Sequence, residues 1–458
     1  MIIFITLIAS LFLFFTMYRN RTNVQWWQYM MSLGWLSLMV VPFIIQKNRF
    51  IGAAVETQQY ALTMSLIAIV AGDILASFIE KNKAPITFEI KSNKFIYALS
   101  TAIVAITSLH LFLMPKIPFI EKYFYNNKQS LILREEASKL LQVPDWFIYV
   151  TQWTTLLIAP LAVLVLIKNK KYWVAALLSG FILFYSHSTT ATGPLVSLII
   201  IFAFIFFQTF PLKIPKAISF TFLLIASLFS IYTIFFNPDV SPYLNTNPTE
   251  LTRFQVLKDA KVERKLSISM GDYYRMLSRR DMYNNSSWIN KKLSYLYYRA
   301  ILVPSEVSHR WYDYYSRNEN AFIGFYGLTP ETRYSKNFQH PATTVGIWAF
   351  YDRFPEQYYR SIRAYASFDA DTYARWGLWG VFFASTLVFF FRIFIAIVSV
   401  KSVYSSTVLF LTLFICARSL PASSIPAMLV SNGVLLGVTT LLVFKIYLKF
   451  RNTKSPIK

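Results

Sequence analysis

The sequence predicts an all-α, polytopic integral membrane protein with about eleven transmembrane helices and one large helical outer loop. Three observations carry that prediction. Of 458 residues, 55% are hydrophobic, 18% aromatic and only 15% charged, and the mean hydropathy is +0.43. A soluble core of this length cannot hide so much apolar surface. Apolar runs long enough to cross a hydrocarbon core of about 30 Å recur along the chain, and the cations between them are unevenly shared.

The runs cover approximately 2–18, 26–46, 57–79, 94–114, 147–167, 172–188, 194–210, 217–236, 376–398, 403–420 and 427–444. The first has no basic residue before it and Arg19 and Arg21 directly after it, the reverse of a signal peptide, so it reads as a membrane helix. The run 403–420 is short and meets Arg418 and Pro421 at its end. It fits either a span or a re-entrant segment, and ten or twelve spans satisfy the same pattern. Three regions follow: 1–236 with eight spans and an outer loop at 115–146, 237–375 as the large outer loop, and 376–458 with three spans and a basic tail.

With eleven spans, the short loops and tail on one side hold seventeen cations: Arg19, Arg21, Lys81, Lys83, Lys91, Lys94, Lys168, Lys170, Lys171, Lys213, Lys216, Lys401, Lys445, Lys449, Arg451, Lys454 and Lys458. Short loops on the other side hold three, Lys47, Arg49 and Arg418. Positive charge is retained in the cytoplasm during insertion, so the N-terminus lies outside, the C-terminus inside, and both long loops face outward. Most of the net charge of +23 is therefore topology and does not point to nucleic acid. A single cysteine, Cys416, leaves no disulfide framework and no Cys-rich metal site.

The loop 237–375 is long enough for a small domain and carries 19 Lys+Arg against 14 Asp+Glu. Asn247-Pro248-Thr249-Glu250 reads as a capped helix start running to about Ser278. Trp288, Leu293, Leu296, Tyr297 and Ile301 recur at helical spacing until Pro304, and a short helix from Ser305 to Tyr315 follows. Its tyrosines and tryptophans suit a membrane surface and also suit stacking on sugar rings. In the loop 115–146, Leu131, Leu133, Leu140 and Leu141 flank a charged run that includes Arg134, an amphipathic surface helix stopped by Pro144.

No P-loop, GxGxxG, HExxH, GxSxG or carboxylate cluster with metal spacing occurs, so ATP-driven, nicotinamide-dependent and zinc chemistry lack support. His110 and His187 lie on predicted helices and read as hydrogen-bonded structural residues. His340 lies in the outer loop, where a histidine titrating near neutrality suits general-base work on a hydroxyl nucleophile. The outer loops also offer Arg134, Arg275, Arg279, Arg280, Arg299, Arg310, Arg360, Arg363 and Arg375. Guanidinium holds phosphate in two-point geometry near a low-dielectric surface, although the loop's own acids compete for it. Asp73 and Arg392 fall inside apolar runs, so each faces the bundle or snorkels to an edge. Arg392, toward the inner end of its run, suits snorkelling; Asp73 suits a proton-relay position.

The stretch Ala370-Asp371-Thr372-Tyr373-Ala374-Arg375-Trp376-Gly377-Leu378-Trp379-Gly380-Val381 resembles a segment of bacterial Wzy-type polymerases, in which a polar loop, an aromatic-alanine pair and a G-x-x-G lead into a late helix. Tyr298-Arg299-Ala300-Ile301-Leu302-Val303-Pro304-Ser305, ahead of Trp311-Tyr312-Asp313-Tyr314-Tyr315, is similar to that family's arginine-to-proline segment. Leu133-Arg134-Glu135-Glu136 is a third similar piece. Ser186-His187-Ser188-Thr189-Thr190-Ala191-Thr192-Gly193 lacks the arginine that members often place near a middle helix, and the paired arginine-to-glycine spacing of some members' outer loops is missing.

The resemblance implies a GT-C-like glycosyltransferase of the bacterial inner membrane that polymerises O-antigen or capsule repeat units on the outer face. It needs no metal or other cofactor. A growing glycan on undecaprenyl pyrophosphate moves en bloc onto a new lipid-linked repeat unit, with the pyrophosphate lipid as leaving group. Arg299, Arg134, Arg280 and Arg375 are the expected pyrophosphate ligands, with His340 or Asp371 orienting or deprotonating the acceptor hydroxyl and Arg299 also expected in catalysis. The implied partners are undecaprenyl-pyrophosphate-linked glycans, membrane lipids and a chain-length regulator protein, with no nucleic acid. The alternatives are an O-antigen ligase and, from another class, a lipid-linked oligosaccharide flippase.

Overall fold

Two of the long apolar runs carry a proline in their interior, and both fold as helices that widen just before it. In the computed structural model of the chain, described over residues 2–19, 26–46, 53–86, 93–120, 143–188, 192–209, 303–317, 322–326, 340–350 and 364–453, α1 is Ile2–Arg19 and α2 is the stretch 26–46. Within α2, a π-helical turn over Leu36–Val40 separates the α-helical Met30–Trp35 from Val41–Gln46, two residues ahead of Pro42. In α5 (145–168), Thr154–Ile158 is π-helical, again two residues ahead of Pro160. Proline has no N–H for the carbonyl four residues back and its ring presses on that carbonyl. The wider turn makes room for the ring while the helix continues through the apolar layer.

The remaining long helices are α3 (Ala54–Lys81), α4 (Asn93–Leu113), α6 (Tyr172–Ser188), α7 (Thr192–Thr209), α8 (Val303–Arg317), α9 (Pro341–Phe350), α10 (Phe368–Val398), α11 (Val403–Ser419) and α12 (Val434–Thr453). No strand occurs among the described residues; Pro85 and Lys401 form an isolated bridge. The described chain is all-helical and built for a membrane. Among the described residues, five helices are long and apolar enough to cross one: Trp27–Gln46, Ala54–Lys81, Lys94–Leu113, Trp146–Lys168 and Phe368–Val398.

Fewer described helices meet that standard than the eleven runs of the sequence, and for two of them the reason is length. Hydropathy counts apolar residues whether or not the helix is continuous. α6 and α11 have 17 residues each, or roughly 26 Å at 1.5 Å per residue. The run 427–444 is divided between the single turn Ile425–Leu429 and α12 by Gly433, whose φ of +84° breaks the helix. The run 217–236 and the predicted helices at 131–141, 247–278 and 288–301 lie outside the described residues.

Contacts divide the chain into two units. The first comprises Met1–Asn82, Val240–Ile397 and Cys416–Met428. There the two ionisable residues of the apolar runs find each other: Arg392 of α10 donates from Nε to Asp73 of α3 (2.7 Å), from one terminal nitrogen to Glu80 (3.0 Å) and from the other to the Gln28 carbonyl of α2 (3.0 Å). Asp73 Oδ2 accepts from the Ser32 amide (2.8 Å) and hydroxyl (2.7 Å), and Glu80 from Gln28 Nε2 (2.6 Å). Asp73 and Arg392 are wholly buried. Arg392 therefore does not snorkel, and both oxygens of Asp73 are held in a bond that ties α2, α3 and α10 together.

The second unit comprises Lys83–Asp239, Val398–Ile415 and Leu429–Lys458. His110 of α4 and the Tyr185 hydroxyl of α6 lie 2.7 Å apart, the structural, hydrogen-bonded state expected of that histidine. His187 packs edge-on against Phe119 at 4.9 Å. Trp153 donates its indole N–H to the Val430 carbonyl (2.8 Å), and Lys83 donates to the Ser399 carbonyl and hydroxyl.

Candidate functional site

The chemistry-bearing residues of the first unit gather at the head of α10. Phe368–Val398 is one helix in two pieces, because Trp376 (φ −143°, ψ 21°) and Gly377 (φ +62°, ψ −153°) leave helical geometry. Only glycine is at ease in the latter conformation. Gly380 completes the break, since a Cβ there would lie 2.3 Å from the Thr372 carbonyl oxygen. The G-x-x-G of the sequence is thus a kink that separates a short polar head, 368–375, from the apolar helix beyond it. The predicted start of that span, residue 376, falls on the kink.

α8 lies against this head. It is amphipathic: Ser305, Ser308, His309 and Tyr312 share one face at helical spacing, and all are buried. Pro304 sits in its first turn, where a missing N–H costs nothing. The Tyr312 hydroxyl donates to Asp369 Oδ2 (3.0 Å). Ser367 gives its only hydroxyl proton to Asp369 Oδ1, so in the 2.8 Å contact between Ser308 and Ser367 the donor is Ser308. The Ala370 amide also donates to Asp369 Oδ1 (2.9 Å). A wholly buried carboxylate is thereby held by three donors from two elements. Burial first, and the Asp369 charge second, push the Tyr312 phenol well above its usual range, so it remains the donor.

The same α8 face reaches α3. Gln58 Nε2 points at the Ser305 carbonyl (3.4 Å), which turns Oε1 toward His309 Nδ1 at 2.8 Å. His309 therefore carries its proton on Nδ1 and keeps its lone pair on Nε2. Burial, then the charges of Arg310 and Arg317, lower its pKa to about 3, so the ring is neutral at physiological pH. Trp311 donates to the Ala364 carbonyl (2.8 Å), and Tyr312 packs on Tyr373 with ring centres 4.9 Å apart. Trp311, Tyr312, Tyr315, Ala366, Ala370, Tyr373 and Ala374 share one apolar core with Ala54 and Ala61 of α3.

Of the predicted site residues, three are described. Asp371 and Arg375 face each other across one turn of the α10 head: Arg375 Nε donates to Asp371 Oδ2 (3.0 Å) and one terminal nitrogen reaches Oδ1 (3.5 Å). Its other terminal nitrogen donates to the Gly324 (2.8 Å) and Tyr326 (3.0 Å) carbonyls, which clamps the segment 322–326 to the helix. His340 is exposed and caps α9: Nδ1 accepts from the Ala342 amide (3.1 Å) and its carbonyl from the Thr343 amide (2.7 Å). Phosphate binding by Arg375 would compete with the clamp, and proton abstraction at His340 Nδ1 would compete with the cap. Arg134, Arg280 and Arg299 lie outside the described residues.

Gln58, His309 and Asp369 carry no motif, and their grouping with Tyr312 is decided by packing. The signal available in the sequence was the i, i+4, i+7 face of α8 formed by Ser305, His309 and Tyr312. The described residues include no group of three or more His, Cys, Asp or Glu side chains placed to hold a metal ion. No protein-family model, curated protein or solved structure matches this chain.

Proposed function

We propose that this chain is a metal-independent glycosyltransferase of the bacterial inner membrane that polymerises undecaprenyl-pyrophosphate-linked oligosaccharide repeat units on the outer face. In the finer architecture of this reading, about eleven spans in a GT-C-like arrangement carry 237–375 outside. One observation supports it above others. The two family-like segments, around Trp311–Tyr315 and Ala370–Val381, meet where Tyr312 packs on Tyr373 with ring centres 4.9 Å apart, next to the bond from Tyr312 to Asp369. An outer-loop aromatic helix bonded to the polar head of a membrane helix is where a lipid-anchored sugar donor and an acceptor hydroxyl would have to meet. In this reading Arg299, which lies shortly before α8, leads the pyrophosphate ligands, with Arg134, Arg280 and Arg375 beside it, and His340 or Asp371 serves the acceptor.

The deciding experiment is a gel of surface polysaccharide from a deletion strain. One repeat unit on lipid A supports a polymerase, a normal ladder sinks the proposal, and complete loss of repeat units from lipid A redirects it to a ligase or flippase. Arg299→Ala is expected to abolish elongation by purified, membrane-inserted protein. A wild-type rate of repeat polymerisation would remove the arginine assignment.

A further inference from the structure

Beyond the kink, α10 presents a continuous apolar stripe, with Trp379, Phe383, Leu387, Phe390, Phe394 and Ile397 exposed at three- and four-residue spacing. No charged residue interrupts it, because Arg392 points inward to Asp73. Such a stripe on a helix of this hydropathy faces lipid. The charged residues of the head, Asp369, Asp371 and Arg375, are buried in protein. The polar-to-apolar boundary therefore coincides with Trp376–Gly377.

One segment from the loop side crosses toward that boundary. Arg375 holds 322–326 by two carbonyls, and the Ile323 and Gly324 amides donate back to the Ala374 (3.0 Å) and Arg375 (3.2 Å) carbonyls. Gly324 turns the backbone with a φ of +50°. The turn leaves Phe325 68% exposed and edge-on to the half-exposed Trp376 at 5.3 Å, at the same end as Trp379, which is 73% exposed. A phenylalanine fastened in this way to water loses apolar burial, whereas aromatic rings are stable at the headgroup–acyl boundary.

We infer that the turn 322–326 is a membrane anchor, with Phe325 seated beside Trp376 in the lipid surface at the end of the α10 stripe. The occupant of this apolar face is phospholipid, on the grounds of its continuity with the lipid-facing stripe. The inference does not depend on glycosyl transfer. It places the Asp371–Arg375 pair at headgroup depth, and it can fail or hold whatever the activity.

The full chain in phosphatidylcholine vesicles tests it by nitroxide labelling, since the one native cysteine, Cys416, is buried. Labels at Phe322→Cys, Trp379→Cys and Phe390→Cys are compared for collisions with dissolved oxygen and with a water-soluble nickel chelate. The label at 322, with Phe325 intact, is expected within about 10 Å of the phosphates. The label at 390 is expected roughly 16 Å deeper than that at 379. In the Phe322→Cys chain, adding Phe325→Asp is expected to raise chelate collisions at 322 at least threefold while 379 and 390 keep their depths. A 322 label as water-accessible as a free loop, or one unmoved by Phe325→Asp, would overturn the anchor; a loss of depth at 390 as well would overturn the placement of the boundary at the kink.

Discussion

His309 shows how a residue without a motif acquires a definite state. Its proton sits on Nδ1 because Gln58 presents an oxygen there, and its neutrality comes from burial beside Arg310 and Arg317. The folded pKa, about 3, lies below the ordinary 6.5. As pH falls, the unfolded chain takes up the proton first, so the contribution of neutral His309 is complete above about pH 6.5 and is lost progressively down to about pH 3. The expected loss is about 1.4 kcal/mol per pH unit within that window. Unfolding of the detergent-solubilised protein between pH 7.5 and 4.5 would measure it, and His309→Gln should remove about one proton from the linked uptake. An unchanged slope would place the titration elsewhere. Asp369 and Tyr312 form a second such pair. Tyr312→Phe should cost about 1–2 kcal/mol and Asp369→Asn about 1–3. In a double-mutant cycle, coupling near 1 kcal/mol is expected, and additivity would mean that the 3.0 Å bond contributes nothing.

At the scale of elements, irregularities in the helices have local causes. Pro42 and Pro160 each follow a π-helical turn, and the kink of α10 rests on two glycines that do different things. Gly377 adopts a conformation other residues avoid, and Gly380 admits a carbonyl where a methyl would collide. Gly377→Ala should cost on the order of 1–3 kcal/mol through backbone strain. Gly380→Ala should cost a similar amount through displacement of the Thr372 carbonyl. Both are expected to weaken the Arg375 clamp on 322–326, seen as faster proteolysis of that segment, while Leu387→Ala on the exposed stripe is expected to leave it intact. Equal proteolysis in all three would detach the clamp from the kink.

For the molecule as a whole, the ion cluster of Arg392, Asp73 and Glu80 is the feature whose loss should be felt farthest. One cation of α10 serves two carboxylates of α3 and a carbonyl of α2. Arg392→Leu leaves two buried carboxylates without it and should destabilise the first unit by about 3–5 kcal/mol. Replacing Asp73, Glu80 and Arg392 together by leucine should restore most of that, because no buried charge then remains. Thermal unfolding in detergent distinguishes these outcomes. A triple variant as unstable as the single one would show that the ion cluster is needed in its own right.

The fold class and the helical positions were legible in the sequence because hydropathy and the 3.6-residue period are local properties. The runs at 26–46, 57–79, 94–114, 147–167 and 376–398 all became long helices, and α8 begins two residues from its expected start. Asp73 and Arg392 were visible as costly residues in lipid, but not as each other's partners, since 319 positions separate them and nothing local records that distance. The site shows the same division. Asp371, Arg375 and His340 were recognisable as residue types suited to the chemistry, whereas the clamp and the cap that occupy them depend on segments folded back from elsewhere in the chain. Hydrophobic patterning determined that this is an all-helical chain built for a membrane, because burial preference is written locally; hydrogen-bond partners across long sequence separations were decided only when the helices packed.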